Sequence, residues 1–444
     1  MSREASSWSK HPKELWILGL TELCERFAFW GAGNLLVLYL IEYYQFSNEK
    51  STHIYGVFTG FAAFLPLIGG WIADRWNYQS PLFLGALVNA IGCFLIATGI
   101  PSFLYIALFL MACGFGIFTP SILTVLGYTY RNKPDLREAG FSIYYSSINV
   151  GVFLALASLG TVAKLVNWHM AFILAGVVQL LGLIPLVIYL MKHKETYSAL
   201  KTLQKTRRAE REKLTPAEKN RLFVIGVFCL VSILFWVAYN QAFSSMAIFA
   251  HDFMNKTVGS IEIPEGVFLS SESFFLILLA PCLAALYSGL QKIGKDPSPS
   301  LKTALSLFFI AACFFVMMIA SKNIPSGAET ANISWSYLLG AYFLMAVGEM
   351  LLAPIGLSMV SRLAPARYTA LIIGIWYVCV GIAFYNGGIL AGFMEKMGSL
   401  FNFFSLFVAM TFIPGFIMLI FSGKLTKLSH LHTELKQTFT DIDR

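Results

Sequence analysis

Five ionisable residues fall inside the long apolar stretches of this 444-residue chain. They are Glu22, Glu25 and Arg26 in the first stretch, Glu272 in the eighth and Glu349 in the tenth. A charge at the centre of a bilayer costs about 2.5–3.5 kcal/mol on insertion scales, so such residues are retained for function by default. Glu22, Glu25 and Arg26 stand at i, i+3 and i+4, on one face of a helix. An Arg beside two acids can hold one ionised while the other loads and releases a proton. The alternative for the triad is a static buried ion pair that locks helix packing. Glu349 follows Gly348 and precedes Ala353-Pro354. The proline removes a backbone donor and frees a carbonyl, which allows a bend or gate beside the acid. A carboxylate there can bind an ammonium group or a proton, or pack its helix through a hydrogen bond. All seven histidines fall at stretch ends or in polar segments, so a proton relay has to run on carboxylates.

The elements that position these groups are read from composition. Hydrophobic residues make up 57% of the chain, charged ones 13%, and mean hydropathy is +0.68. A soluble domain carries about 25% charged residues, which excludes a water-soluble enzyme, a disordered chain and a nucleic-acid binder. A span needs about 20 apolar residues, and twelve candidates are found. Six lie near 15–44, 53–73, 81–99, 101–130, 138–164 and 168–191; six more lie near 222–250, 267–290, 301–321, 334–362, 367–394 and 399–423. The expected fold class is an all-α membrane protein of two six-helix bundles, residues 1–191 and 222–424. Residues 192–221, with ten Lys or Arg, form a cytoplasmic basic linker, and 425–444 a cytoplasmic tail. Residues 200–222 are read as a surface helix near anionic headgroups. The polar start leads directly into the first span, with no cleavable signal expected.

With an even number of spans, 26 of the 32 Lys and Arg share the side of both termini. The positive-inside bias makes that side cytoplasmic, so the net charge of +8 reflects topology. The seven cysteines all lie in apolar runs without metal-type spacing and read as buried hydrophobes. No enzyme motif is present, and no cofactor or metal is expected.

Two six-span halves joined by a long loop resemble the major facilitator superfamily. In that superfamily the substrate site lies near mid-membrane and the halves rock in turn. Gly69-Gly70-Trp71-Ile72-Ala73-Asp74-Arg75 resembles its G-x-x-x-D-R turn after span 2, which implies a gating role for Asp74 and Arg75, with Pro354 as a second gate element. Thr21-Glu22-Leu23-Cys24-Glu25-Arg26-Phe27 is similar to the E-x-x-E-R-F motif of the proton-dependent oligopeptide transporters. The run from Gly140 to Gly151 looks like their F-x-x-x-x-x-x-I-N-x-G motif. Phe235-Trp236 with Asn240-Gln241 resembles F-W-x-x-x-E-Q, and Gly348-Glu349 through Ser358, then Trp376, resemble spans 10 and 11. The resemblance implies proton coupling through Glu22, Glu25, Arg26, Glu349 and Glu272. It implies substrate contacts from Asn149, Trp236, Asn240, Gln241, Glu272, Glu349 and Trp376.

Departures from the family pattern are specific. A Lys usual before the span 4 proline is Thr119, an Arg usual after the first motif is Gly33, and the two aromatic positions are Phe29 and Trp30. The usual span 7 Glu is Asn240, while an Asn usual in span 8 is Glu272. In the family the two bases help hold a peptide carboxylate; both are absent here. The expected function is a monomeric, proton-coupled importer of small peptides or peptide-like amines in the inner cell membrane, partnered by protons and lipid and not by nucleic acid. The alternatives are a proton-antiport efflux carrier for drugs or metabolites, and a non-transporting sensor.

Overall fold

The computed structural model describes residues 11–75, 79–130, 133, 136–192, 215–293, 295, 297–322, 324, 328, 330–364 and 369–428. The helices are α1 (Lys13–Arg26), α2 (Leu36–Glu42), α3 (Asn48–Arg75), α4 (Gln79–Ile96), α5 (Pro101–Thr129), α6 (Arg137–Leu165), α7 (Trp168–Lys192), α8 (Pro216–Tyr239) and α9 (Ser245–Asp252). They continue with α10 (Glu265–Leu269), α11 (Ser271–Lys292), α12 (Pro299–Ser321), α13 (Trp335–Leu363), α14 (Thr369–Ala391) and α15 (Leu400–Leu428). Among the described residues, ten helices are long and apolar enough to cross a membrane, and Ser80–Ile96 is a shorter apolar helix. The first expected span is one apolar run in several pieces: α1, a π turn Phe27–Gly31, a short turn Ala32–Asn34, then α2. Side chains such as Leu181, Ile184, Phe416 and Ile420 are exposed on these helices, as a lipid-facing surface requires.

Two compact units form: Met1–Arg208 with Lys256–Ile277, and Ala209–Asn255 with Leu278–Arg444. In the first unit small residues let helices approach closely. A Cβ on Gly114 of α5 would lie 2.6 Å from Gly85 O and Asn89 N of α4, and Gly69 of α3 abuts Gly116 of α5. Leu15 and Leu18 of α1, Phe118 and Ile122 of α5, and Leu186 of α7 share one core. A two-residue hairpin, β2 (Thr257–Val258) with β3 (Ile261–Glu262), follows β1 (Met254–Asn255) in the chain and turns at Gly259, φ 65°.

In the second unit, α8 begins six residues before its apolar run. Thr215 caps it, accepting from the Glu218 N–H at 3.2 Å while Glu218 accepts from the Thr215 N–H at 2.8 Å, with Pro216 in the first turn. Ser298 caps α12 by accepting from the Leu301 N–H at 3.3 Å, with Pro299 in the first turn. Phe314, Phe403, Phe404 and Phe407 stack between α12 and α15. β1 pairs in parallel with β4 (Ile333–Ser334), which leads into α13. Residues 193–214 of the expected linker and surface helix, and 429–444 of the expected tail, lie outside the described residues.

Candidate functional site

The Arg26 guanidinium, 4% exposed, is ringed by groups from two helices. Its Nε donates to Glu22 Oε1 at 2.7 Å, and its Nη2 stands 2.7 Å from the same oxygen. Nη1 lies 3.2 Å from Glu25 Oε2, and Nη2 donates to Thr119 Oγ1 of α5 at 3.3 Å. The guanidinium carbon sits 4.8 Å from the centroid of the Phe115 ring, a cation–π contact. Tyr144 of α6 is buried with its hydroxyl beside Glu22. Glu22 and Glu25 are both fully buried. The two acids are not equivalent: Glu22 meets the guanidinium twice at short range, Glu25 once at longer range. Neither oxygen of Glu25 has a hydrogen-bond partner among the described residues. A buried carboxyl with free lone pairs is equipped to take up a proton.

Glycines seat this face. A Cβ on Gly151 of α6 would lie 2.5 Å from Leu23 O and 3.2 Å from Arg26 Cβ, and one on Gly182 of α7 would lie 2.5 Å from Cys24 Cβ. The absence of those side chains lets α1 lie against α6 and α7, which turns the triad toward α5. Directly after Arg26, the π turn carries Phe29 onto Phe115, stacked at 4.3 Å, and Trp30 edge-on to the same ring at 5.7 Å. π turns of this kind occur often at functional sites. Gly33 is in van der Waals conflict range of Phe58: a Cβ there would meet Cε1 at 3.1 Å.

Asn149, also in α6, is buried and donates to Tyr145 O at 3.4 Å. Glu272 opens α11 and is buried, accepting from Ser273 Oγ at 3.2 Å. It belongs to the first unit, whereas Asn240, the residue whose type it exchanges with in the family pattern, belongs to the second.

In the second unit, α8 ends at Tyr239 and passes into a 3₁₀ turn, Asn240–Phe243. That turn exposes polar groups to α14. Gln241 Nε2 donates to Gly387 O at 2.9 Å, and its Oε1 accepts from Ser245 Oγ at 2.7 Å. A Cβ on Gly387 would lie 2.8 Å from Asn240 Oδ1. Trp236 packs edge-on to Phe384 of α14 at 6.0 Å. The Trp236 indole N–H and Asn240 Oδ1 are buried with no hydrogen-bond partner among the described residues. Glu349 of α13 and Trp376 of α14 are buried in the same unit.

Asp74 and Arg75 end α3, and α13 is helical through Pro354, but the side chains of all three lie outside the described residues. Sequence reasoning did not find Phe115, Tyr144, Gly151 and Gly182 as partners of the triad. Tyr144 and Gly151 lie within the Gly140–Gly151 motif, which was the available signal.

A family model described as PTR2, POT family, matches residues 81–194 and 186–407. The chain is 26% identical to peptide transporter YePEPT of Yersinia enterocolitica, over 87% of this chain and 88% of the relative. It is likewise 26% identical to dipeptide and tripeptide permease B of Salmonella typhimurium, over 86% and 87%. A crystal structure of a peptide transporter POT in complex with sulfate superposes with a TM-score of 0.82 at 25% identity, covering 94% of this chain and 96% of that one. The fold is that of the major facilitator superfamily, the protein is a multi-pass membrane transporter and not an enzyme, and the chain belongs to the POT family.

Proposed function

We propose that this chain is a proton-coupled symporter that imports small peptides or peptide-like amines by alternating access. The buried triad carries the proposal: two carboxyls share one guanidinium, and one of them keeps both oxygens open to a proton. Glu25 is the proton carrier, and Arg26 with Glu22 is the fixed charge that responds to its loading. POT family membership, and relatives named as peptide transporters or dipeptide and tripeptide permeases, support the same reading.

Asn149, Trp236, Asn240, Gln241, Glu349 and Trp376 are assigned to substrate contact, and Trp236 and Asn240 offer open polar atoms for it. Glu272 and Glu349 are further proton or ammonium acceptors, and Asp74, Arg75 and Pro354 serve gating. The halves 1–191 and 222–424 work as the two moving parts of a monomer, joined through 192–221. It sits in the cell membrane with both termini cytoplasmic, driven by the proton gradient without a cofactor.

The test is uptake of labelled dialanine by proteoliposomes under an imposed inward proton gradient. Accumulation above the external concentration is expected. Proton-driven loss from loaded vesicles would establish the antiport alternative, and absence of flux in either direction would overturn transport of peptides.

A further inference from the structure

A buried amide pair joins α4 to α7 within the first unit. Asn89 of α4 and Gln179 of α7 are both fully buried. Asn89 Nδ2 donates to Gln179 Oε1 at 3.4 Å, and Asn89 Oδ1 faces Cys93 Sγ, one turn along α4, at 4.0 Å. The thiol is a weak donor to that oxygen, so Asn89 spends its amide on Gln179, which receives it on Oε1. Gln179 Nε2 is left buried with no hydrogen-bond partner among the described residues. A buried donor without an acceptor is costly to keep.

That donor stands near the level of Glu25. Helix α7 runs antiparallel to the first span: Trp168 and Phe172, near its start, pack on Tyr39 of α2. Further along, Gly182 abuts Cys24, and its carbonyl accepts from Thr21 Oγ1 at 3.4 Å. Gln179 lies one turn before Gly182, and Glu25 directly follows Cys24, so the antiparallel packing brings the two to about the same height. Cys93, at the other end of the amide chain, is within electrostatic reach of Glu25. The other titratable or charged groups facing Glu25 are Glu22 and Arg26 on α1 and Tyr144 on α6. Of these, Arg26 favours the ionised acid; its Nη1 is 3.2 Å from Glu25 Oε2 without an aligned hydrogen bond. Both oxygens of Glu25 and the nitrogen of Gln179 are therefore unspent complements in one buried region.

An ionised carboxylate only accepts hydrogen bonds, whereas a protonated carboxyl has a hydrogen of its own to place. An amide N–H beside Glu25 favours the ionised form and lowers its affinity for a proton. Given Glu25 as the proton carrier proposed above, we propose that Gln179, oriented by Asn89, is a positioning residue of proton transfer. Its Nε2 donates to the Glu25 carboxylate once the proton has left for the cytoplasmic water, and so sets the pH at which this carboxyl unloads. The bond from Asn89 occupies Oε1, which would otherwise accept from the protonated acid and favour the loaded state.

The test follows the protonated-carboxyl band of the full-length protein in liposomes by infrared difference spectroscopy as pH is stepped. The Glu25 band is the one absent from Glu25→Gln. In Gln179→Met, which keeps the length of the side chain and removes the amide, its midpoint should rise by about one pH unit, tenfold in proton affinity. Asn89→Ala, which releases the Gln179 amide but leaves it in place, should raise the midpoint by less. An unchanged or lower midpoint in Gln179→Met overturns the inference and assigns the pair to helix packing, with Glu25 still the proton carrier. If Gln179→Met does not fold, Asn89→Ala decides: a rise supports the inference and no rise overturns it. If Glu25→Gln loses no titrating band, the proton-carrier reading falls and this inference with it.

Discussion

Arg26 and Thr119 are joined across α1 and α5, Nη2 to Oγ1 at 3.3 Å, 93 positions apart in the chain. The bond places a neutral acceptor on Arg26, the one buried Lys or Arg among the described residues of the first unit, while Glu22 and Glu25 supply two acids to it. Charge within this unit therefore changes by taking up a proton, and Glu25 has the open oxygens for it.

The variant Glu25→Gln keeps the size of the side chain and removes the proton. Gradient-driven accumulation should fall to the level of empty liposomes, while exchange of labelled for unlabelled substrate continues at a measurable rate. Glu22→Gln should instead impair both, because it removes the acid that holds Arg26 by two short contacts. Equal accumulation by Glu25→Gln and wild type would show the triad to be a packing element.

Glycine 151 is predicted to be a site where added volume is costly. In Gly151→Leu the new side chain must push against the carbonyl of Leu23, 2.5 Å from the Cβ position, which is backbone and cannot rotate away. Overpacking of this kind costs about 1–3 kcal/mol. A lower midpoint of thermal unfolding in detergent is expected, with loss of coupling in whatever protein remains folded. An unchanged midpoint would mean that α1 and α6 do not pack as described.

The first-span triad was legible because charges stand out within an apolar run, and its i, i+3, i+4 spacing fixes the shared face. The Thr-Pro-x-Glu start of α8 was also written in the residues 215–218, but the surrounding Lys and Arg disguised it as linker. Two features were not legible. Phe27–Gly31 reads as continuous apolar helix, and nothing in its pattern marks a π turn. The pairing of Arg26 with Thr119, and of Gly151 with Leu23, depends on which helices are neighbours, and hydropathy carries no such information. The grouping of Glu272 with the first unit was hidden for the same reason.

Cys229 of α8 and Cys379 of α14 are predicted to form a disulfide on mild oxidation. Their side chains face each other, and contacts of Trp236 with Phe384 and Gln241 with Gly387 hold α8 and α14 side by side in the same direction. In a variant retaining only these two cysteines, a thiol-specific oxidant should leave a monomeric chain with no alkylatable thiol by intact mass. A product with both thiols still alkylated, or only cross-linked dimers, would contradict the packing of α8 on α14.

Glu349→Gln should lower substrate affinity as well as transport, since that carboxylate is assigned to the substrate's ammonium group. A tenfold weaker dissociation constant with unchanged thermal stability is expected from titration of the purified variant. Unchanged affinity together with lost accumulation would move Glu349 from substrate contact to proton transfer.

Proton symport has a signature that requires no imposed gradient. Proteoliposomes carrying a trapped pH dye are given external dialanine with both sides at equal pH and the membrane potential clamped. Inward substrate flux through the triad should acidify the lumen in wild type and leave it unchanged in Glu25→Gln. Substrate entry with no pH change, or with alkalinisation, would contradict proton-coupled import by this protein.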